Sequence, residues 1–311
     1  MKLLYFLESI RIPVLNEFML LITKLGEETA FLVAALIVFW CVDKYKGYYL
    51  MGVGFLGTML TQILKLACRV PRPWVLDPNF TILEQAREAA AGYSFPSGHS
   101  QSAVGTFGGI AYTTKNKWVK GLCIAIAVLV PLSRMYIGVH TPWDVLVGSA
   151  IALALVIDLR KDVLSKQEKN RKTLIAVMLA VAVCFLLYVT LYPFPADFDA
   201  HNLESGTKNA YTMIGCLVGV AIVYVAERRY VNFETKAVWW VQILKIMLGL
   251  GTVLAIKEGL RTPLELMLPT LSARALRYFL IVVWAGLGWP STFRFFAKLG
   301  AKHELRNHQK L

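Results

Sequence analysis

Long apolar segments follow one another through most of the chain and constrain its fold more than any other feature. Hydrophobic residues make up 57% of the 311 positions, charged residues only 17%, and the mean hydropathy is +0.54. Soluble domains carry about 45–50% apolar and about 25% charged residues, so one water-exposed domain cannot bury this excess. The expected solvent of the chain is therefore lipid.

The length of the apolar segments predicts how they are folded. A bilayer core about 30 Å thick is crossed by about 20 apolar helical residues, and no alternating strand pattern typical of a barrel is present. The sequence therefore predicts an all-α, polytopic transmembrane helical bundle. The nine predicted spans are residues 28–42, 48–67, 100–113, 118–136, 143–159, 173–192, 210–226, 237–256 and 275–290.

The apolar stretch 13–25 is too short for an ordinary span. It carries Glu17 and Lys24 and stops at Gly26. We expect an interfacial or half-inserted helix here, and a tenth span that includes residues 4–12 is the alternative. The N-terminal residues lack the apolar core and small-residue cleavage site of a signal peptide, so we expect no cleavage.

Basic residues are concentrated in alternate loops, which predicts the orientation of the bundle. Loops rich in Lys and Arg are retained in the cytoplasm, so loops 68–99, 134–142, 193–209 and 257–274 are expected on the opposite side. A nucleic-acid binder would be water-soluble, so the net charge of +13 does not indicate a nucleic-acid partner. The basic residues of the predicted cytoplasmic loops are Lys44, Lys46, Lys115, Lys117, Lys120, Arg160, Lys161, Lys166, Lys169, Arg171, Lys172, Arg228, Arg229, Lys236, Arg294, Lys298, Lys302, Arg306 and Lys310.

The most polar run, 161–172, is the best candidate for a boundary. It divides a predicted core of residues 1–160 from a C-terminal block of residues 173–311, whose role is unknown and which ends in a basic tail. We interpret 161–172 as a basic cytoplasmic linker. Four of the five cysteines lie within apolar runs, which argues against a disulfide framework or a zinc site.

Three polar clusters interrupt the apolar pattern on the predicted non-cytoplasmic side. Each lies at the end of a span, so folding of the bundle can bring all three to one site near the membrane surface. The clusters are Lys65 with Arg72 and Pro73; Pro96, Ser97, Gly98 and His99; and Ser133 and Arg134 with His140 and Asp144.

Several of these residues have the chemistry of a phosphate cradle. Lys65, Arg72 and Arg134 supply three cations, and a guanidinium binds phosphate oxygens with two parallel hydrogen bonds. The backbone N–H groups of Ser97 and Gly98 lie just before a predicted helix, where free donors and the helix dipole favour an anion. The sequence therefore predicts an anion site.

The same clusters hold groups suited to catalysis. His99 and His140 supply imidazoles, which act as nucleophiles, acids or bases near neutral pH. Asp144 follows His140 by four residues, so its carboxylate can accept the imidazole N–H and orient the ring, as a buried acid does in the serine-protease triad.

Together the three clusters resemble the signature of the type 2 phosphatidic acid phosphatase family, also called the lipid phosphate phosphatase and vanadium haloperoxidase superfamily. That pattern is Lys, six residues, Arg-Pro; then Pro-Ser-Gly-His; then Ser-Arg, five residues, His, three residues, Asp. All eleven specified positions match in order. The resemblance covers roughly residues 13–160 and leaves the C-terminal block outside.

The resemblance implies a role for each matching residue. His140 would attack phosphorus to give a phosphohistidine, with Asp144 orienting it, and His99 would protonate the leaving oxygen and then activate water. This scheme needs no metal or other cofactor. The residues implied to hold the phosphoryl oxygens are Lys65, Arg72, Ser97, Gly98 and Arg134.

The expected function is hydrolysis of a phosphomonoester or diphosphate on a lipid. Phosphatidic acid, phosphatidylglycerophosphate, undecaprenyl diphosphate and sphingoid phosphates all fit a cationic cradle beneath an apolar rim. A phosphotransferase with the same intermediate, or a transporter or scaffold without catalysis, is the alternative. The nine spans and the charge of Lys245 inside a span lend the transporter some weight, whereas the intact set of His99, His140 and Asp144 argues against it. The charge of Lys245 itself indicates either an internal ion pair or a substrate contact. We expect a bacterial plasma membrane and a site on its non-cytoplasmic face; the oligomeric state stays open.

Overall fold

A computed structural model describes residues 1–87, 90, 92–165 and 167–298. Fifteen α-helices and no strand are found among these residues, which confirms the all-α prediction. In chain order the helices are α1 (Lys2–Ser9), α2 (Pro13–Thr23), α3 (Glu28–Ile37), α4 (Lys44–Cys68), α5 (Pro73–Leu76), α6 (Gly98–Ala103), α7 (Gly109–Thr113), α8 (Lys117–Tyr136), α9 (Pro142–Leu164), α10 (Glu168–Leu191), α11 (Ala200–Ala226), α12 (Trp239–Gly259), α13 (Arg261–Met267), α14 (Thr270–Val283) and α15 (Trp289–Ser291).

Tighter and wider turns extend or join several of these helices. Among the described residues, 3₁₀ turns lie at Lys24–Gly26 and Glu84–Ala86. Because π turns join α6 to α7 and α14 to α15, each of these pairs runs on as one helix. The four π-helical segments are Val38–Val42, Val104–Gly108, Glu227–Val231 and Trp284–Gly288.

All nine predicted spans fall on helices. Within the described residues, seven helical segments are long and apolar enough to cross a bilayer, which confirms a polytopic membrane protein. The helix from Gly98 to Thr113 is shorter than these, so the count of nine spans stays a prediction. The seven segments are Lys44–Leu76, Lys117–Tyr136, Pro142–Lys161, Glu168–Leu191, Ala200–Val231, Trp239–Met267 and Thr270–Lys298.

The N-terminal apolar stretch forms half of a bent pair of helices. Pro13–Gly26 and Glu28–Val42 meet at 58° and together have the length and composition of one span. This is the geometry of a broken span or a re-entrant loop, and it agrees with the predicted half-inserted helix. The bend buries Gly26 and places the exposed Glu27 and Glu28 at the edge of the pocket described below.

The predicted linker is shorter in the structure than in the sequence analysis. Residues 161–172 lie mostly on helices, because α9 continues to Leu164 and α10 begins at Glu168. Both helices continue from the apolar spans into the polar run. Hydropathy alone marks where a span ends but not where its helix ends. Lys166 and the tail residues Lys302, Arg306 and Lys310 lie outside the described residues.

The two blocks are joined by buried hydrogen bonds within the membrane. Trp40 Nε1 of the first block donates to the carbonyl oxygen of Ala285 at 2.8 Å, and Lys245 Nζ donates to the carbonyl oxygen of Trp40 at 2.9 Å. Lys44 Nζ also lies 2.9 Å from the fully buried carboxylate of Glu227. The C-terminal helices therefore pack directly on the first block.

Candidate active site

A pocket of about 250 Å³ lies at the end of the bundle opposite the basic loops. It is lined by residues from α4, α6, α8, the turn after α2 and the first turns of α11. Six of the eight predicted site residues contribute to its lining, and they are Lys65, Arg72, Gly98, His99, Arg134 and His140. The remaining two, Ser97 and Asp144, are buried behind this wall. The fold thus brings all three sequence clusters to one place.

The segment 92–94 holds two of the cations in position. Lys65, near the C-terminal end of α4, donates from Nζ to the carbonyl oxygen of Tyr93 at 2.5 Å. Arg72, beyond the end of that helix, donates from Nε to the carbonyl oxygen of Gly92 and from Nη1 to that of Val139, each at 2.9 Å. Backbone carbonyls therefore orient both side chains into the pocket.

His140 lies between a cation and a carboxylate. Its Nε2 is 2.9 Å from Arg72 Nη1, and its Nδ1 is 3.4 Å from Asp144 Oδ2. Because a guanidinium only donates, Nε2 must accept this hydrogen bond, and the proton of the neutral ring is on Nδ1. The Nε2 lone pair therefore points toward the cationic side of the pocket.

A serine that the sequence analysis missed completes this arrangement. Ser94 is fully buried, and its Oγ donates to Asp144 Oδ2 at 2.5 Å while lying 3.4 Å from His140 Nδ1. Asp144 Oδ2 also accepts the backbone N–H of Thr141 at 2.7 Å, as part of the capping box that starts α9. The direct distance from Asp144 to His140 exceeds that of an ordinary hydrogen bond, so Ser94 links the two.

Both histidines are held in the neutral form. Burial lowers the pKa of His140 well below its usual value near 6.5, and the charges of Arg72, Arg134 and Lys65 lower it further. The pKa of His99 is lowered in the same direction by burial and then by Arg134, Arg72 and Lys65. A neutral imidazole is the form that can act as a nucleophile or base.

Ser97 has a different contact from the predicted one. Its backbone N–H donates to the carbonyl oxygen of Asp144 at 2.9 Å, so this donor is used and does not face an anion. A Cβ on Gly148 would lie 2.4 Å from the Ser97 carbonyl oxygen, so only glycine permits this approach of α9. The predicted phosphate contact of the Ser97 N–H is therefore corrected. This N–H binds the backbone of Asp144 and so connects the second motif to the third, whereas Gly98 lines the pocket.

Arg134 is buried on α8, and not all of its N–H groups are hydrogen-bonded to the described residues. Its Nη1 donates to Thr23 Oγ1 at 2.9 Å, and its Nε has no hydrogen-bond partner in the described part of the chain. Thr23 comes from the bent N-terminal helix and was not singled out in the sequence. A buried, incompletely paired guanidinium is costly unless an anion joins it.

Comparison with known proteins identifies the family of the chain. The chain is 33% identical to phosphatidylglycerophosphatase B of Bacillus subtilis over 161 residues, which are 47% of this chain and 74% of that protein. The model of the PAP2 superfamily matches residues 45–168, and that of the PAP2 superfamily phosphatase, transmembrane extension, matches residues 211–302. The chain belongs to the PAP2 superfamily.

Two further relatives cover less of their own length. Undecaprenyl-diphosphatase of Sulfolobus acidocaldarius is 31% identical over 140 residues, 44% of this chain and 66% of that protein. Human sphingosine-1-phosphate phosphatase 2 is 30% identical over 139 residues, 43% of this chain and 34% of that protein. No solved structure matches the chain at a comparable level.

Membership of the PAP2 superfamily confirms two predictions from the sequence. The eleven motif positions identified the family correctly, and the chain is a membrane-bound phosphoric ester hydrolase of that family. The roles of the single residues stay predictions. Within the described residues no group of three or more His, Cys, Asp and Glu side chains is placed to hold a metal ion.

The C-terminal block of this PAP2 protein reaches the pocket. Asn202 and Ser205, on the first turns of α11, line it beside the motif residues. Asn202 Oδ1 accepts the backbone N–H of Tyr93 at 3.1 Å, which anchors the segment whose carbonyls hold Lys65 and Arg72. The division into a core of 1–160 and a separate block stays a prediction, but residues from both parts line the pocket.

Proposed function

We propose that the protein hydrolyses a phosphomonoester or diphosphate on a lipid through a phosphohistidine formed at His140. The position of His140 Nε2 carries this proposal. It lies 2.9 Å from Arg72 Nη1 at the edge of a cationic pocket, with Ser94 and Asp144 behind the other ring nitrogen. The lone pair that attack on phosphorus requires is therefore on the correct side of the ring.

The first half of the reaction moves the phosphoryl group to the protein. His140 Nε2 forms a bond to phosphorus while the bond between phosphorus and the leaving-group oxygen breaks. His99 gives its proton to that oxygen, so the lipid leaves as a hydroxyl or a protonated phosphate. The ring of His140 becomes positively charged, and Asp144 stabilises it through Nδ1–H and Ser94.

The second half returns the protein to its starting state. His99, now neutral, takes a proton from water as the water oxygen bonds to phosphorus. The bond from phosphorus to Nε2 breaks, inorganic phosphate leaves, and His140 is again neutral. Lys65, Arg72 and Arg134 neutralise the charge that spreads over the phosphoryl oxygens in both transition states.

Substrate binding raises the pKa of His99 and so favours its protonated form. Burial and the three cations lower the pKa of His99 in the empty pocket. A phosphate bound among these cations offsets their charge, which removes that part of the shift and raises the pKa of His99 again. Substrate binding therefore favours the charged form of His99, which is the form that can protonate the leaving oxygen.

The position of the pocket supports a lipid substrate. It lies where several spans end, at the level that lipid head groups reach by lateral diffusion. The basic loops lie at the other end of the bundle, so we place the site on the non-cytoplasmic face, in a bacterial plasma membrane. Phosphatidylglycerophosphate, undecaprenyl diphosphate and sphingosine 1-phosphate, which the names of the relatives give, are all lipid phosphates.

Release of inorganic phosphate from lipid phosphates by the purified protein in detergent micelles, with chelator and no added Mg²⁺, tests the proposal. We expect His140→Ala to lose at least about 10³-fold in rate, as loss of a nucleophile does in other hydrolases. Incubation with ³²P-labelled substrate and rapid denaturation should trap an acid-labile, base-stable phosphoryl group on the wild type.

The matched control is His201→Ala, since His201 is exposed and does not line the pocket. This variant should keep both the rate and the label. Full turnover by His140→Ala, or label that persists in it, would contradict the mechanism. Label that passes to an added lipid or sugar in preference to water would instead identify a phosphotransferase.

A further inference from the structure

Three helices that line the pocket also line a second cavity between the two blocks. Helices α3, α4 and α11 contribute to both, and α12 and α14 complete the second one. It has a volume of about 90 Å³, and its walls are apolar apart from the phenol group of Tyr48. We call it the inter-block cavity. Its walls include Leu32, Leu36, Met51, Phe55, Val220 and Val253.

One face of α3 and its π-helical extension leads from the pocket to the inter-block cavity. Glu28, the first residue of α3, lines the pocket. Leu32, Leu36 and Phe39 line the inter-block cavity and follow Glu28 by about one, two and three turns, so they share its face. At about 1.5 Å per residue this face extends about 16 Å from Glu28, which is about half of a bilayer core about 30 Å thick.

One face of α4 makes the same connection. Thr58 and Gln62 line the pocket, near the end of α4 that carries Lys65. Farther from that end, Tyr48, Met51 and Phe55 line the inter-block cavity. These positions recur at intervals of three and four residues, which places them on one side of the helix. A lipid whose head group is in the pocket therefore has an apolar cavity beneath it, at the depth of its own chains.

The inter-block cavity is accessible from the bilayer. Leu32 at its edge is 37% exposed, and Val253 of α12 is only partly buried. A hydrocarbon chain can therefore enter from the side, between α3 and α12. Because lipid chains are as apolar as these walls, a chain that enters gains close packing and not transfer from water.

We propose that the inter-block cavity holds part of one hydrocarbon chain of the lipid phosphate whose head group is in the pocket. The inference rests on the proposed function, because it assigns a place to the chain of that substrate. A volume of about 90 Å³ takes only a few methylene groups, so the cavity holds the middle of one chain and the rest stays in the bilayer. A chain held at this depth restricts the position of the head group beside His140.

This assignment gives the C-terminal block a part in substrate binding. A Cβ on Gly219 of α11 would lie 2.9 Å from Cβ of Val282 on α14, so these two helices pack closely enough to form one wall of the cavity. Without this wall, the chain would lie against α3 and α4 on one side and against lipid on the other. The rate should therefore depend on the length of the substrate chain.

The ratio of kcat/KM for a long-chain substrate to that for a short-chain substrate tests this dependence. The chains of dioleoyl phosphatidic acid reach the inter-block cavity, whereas those of dihexanoyl phosphatidic acid end near its edge. Val253→Trp and Leu36→Trp fill the cavity from opposite sides. Each should lower the ratio by about tenfold, because a displaced long chain misplaces its head group.

The matched control is Leu254→Trp, which should leave the ratio unchanged. Leu254 is the next residue of α12, is 53% exposed and does not line the cavity. Both substrates are measured on one sample, so the ratio is independent of the fraction of protein that folds.

A photoreactive lipid tests the position of the chain without turnover. Phosphatidic acid with a diazirine in one chain, bound to the His140→Ala variant in nanodiscs, should label peptides of α3 and α14 on illumination. Addition of Val253→Trp should remove this label, and addition of Leu254→Trp should not. Phosphatidylcholine with the same chain should label these peptides at least about fivefold less, because its zwitterionic head group is not attracted to the cationic pocket.

The outcomes separate this inference from the proposed function. Unchanged ratios in both Val253→Trp and Leu36→Trp, or equal labelling by the two lipids, would overturn the inference and leave hydrolysis at His140 intact. A folded wild type that releases phosphate from neither phosphatidic acid would overturn the proposed function, while the labelling would still decide whether a lipid phosphate chain lies in the cavity.

Discussion

Two buried cations, one in each block of the molecule, lie in opposite environments. In the first block Arg134 lines a pocket, and its Nε has no hydrogen-bond partner among the described residues. In the second, Lys245 lies under the ring of Phe293 at 4.1 Å and donates to the carbonyl oxygens of Trp40 and Thr235 at 2.9 and 3.1 Å. An intramembrane cation thus indicates a ligand only where its donors face a cavity.

This difference corrects the interpretation of Lys245 from sequence. Its charge suggested either an internal ion pair or a substrate contact. The structure gives it neither, because its amine is used by backbone carbonyls at the π-helical segment Val38–Val42 and at the loop before α12. Lys245 therefore fastens the second block to the first.

The largest expected effect comes from the cation that faces the pocket. Arg134→Ala should lower kcat/KM for lipid phosphate hydrolysis by about 10²- to 10³-fold, the usual cost of removing one donor that stabilises a transition-state oxyanion. Steady-state rates in micelles measure it, with circular dichroism as the check on folding. A loss below tenfold in a folded variant would show that Arg134 is not part of the cradle.

Acid should destabilise the first block through its two histidines. Because the folded pKa values of His99 and His140 lie below the unfolded value near 6.5, the unfolded chain binds more protons below that pH, and stability falls as the pH is lowered. The expected slope is about 1.4 kcal/mol per pH unit for each histidine.

Thermal unfolding in detergent at pH 7.5 and 5.5 measures this slope, with and without inorganic phosphate. The variant with His99→Gln and His140→Gln should lose most of the pH dependence. Phosphate should protect the wild type at pH 5.5, because the anion offsets the cations around both rings. An equal slope in wild type and double variant would refute this origin.

A moderate effect is expected where the second block touches the site. Asn202→Ala removes the acceptor for the Tyr93 N–H and loosens the segment that orients Lys65 and Arg72, so we expect kcat/KM to fall about tenfold. The apparent affinity for inorganic phosphate as product inhibitor should fall with it. Asn202→Asp keeps the acceptor oxygen and should recover part of the loss.

The control for this prediction is His201→Ala, one residue away and outside the pocket. If Asn202→Ala leaves both kcat/KM and phosphate inhibition unchanged, the second block contributes only stability. That outcome would support the division of the chain into a catalytic core and a separate block.

The smallest effect on catalysis is expected at Lys245. Lys245→Met fills a similar volume but removes the hydrogen bonds to the carbonyl oxygens of Trp40 and Thr235, of which the second keeps its bond from Gln242 Nε2 at 2.8 Å. The free energy of unfolding should fall by about 1–3 kcal/mol, which a lower thermal midpoint will show. The rate per folded molecule should change less than twofold. A rate loss comparable to that of Arg134→Ala would erase the distinction between the two cations.

Much of the site could be predicted because its residues come in short, spaced motifs. His140 and Asp144 are four residues apart at the start of α9, and Lys65 and Arg72 lie on either side of the end of α4. Their spacing in the sequence therefore predicts that each pair lies close together. The contacts that the sequence analysis missed join residues that are far apart in the chain. Ser94 is 50 residues from Asp144, Thr23 is 111 from Arg134, and Asn202 is 109 from Tyr93.

The sequence alone determined the class of the protein and the chemistry of its residues. Hydropathy predicted helices in lipid, because backbone polar groups cannot be left unpaired there, and the motifs predicted a phosphate site. Only the tertiary structure decided that the Ser97 N–H bonds to Asp144, that Lys245 binds backbone, and that Asn202 and Ser205 of the C-terminal block reach the pocket. Hydrogen bonds depend on which surfaces meet, and residue order does not encode that directly.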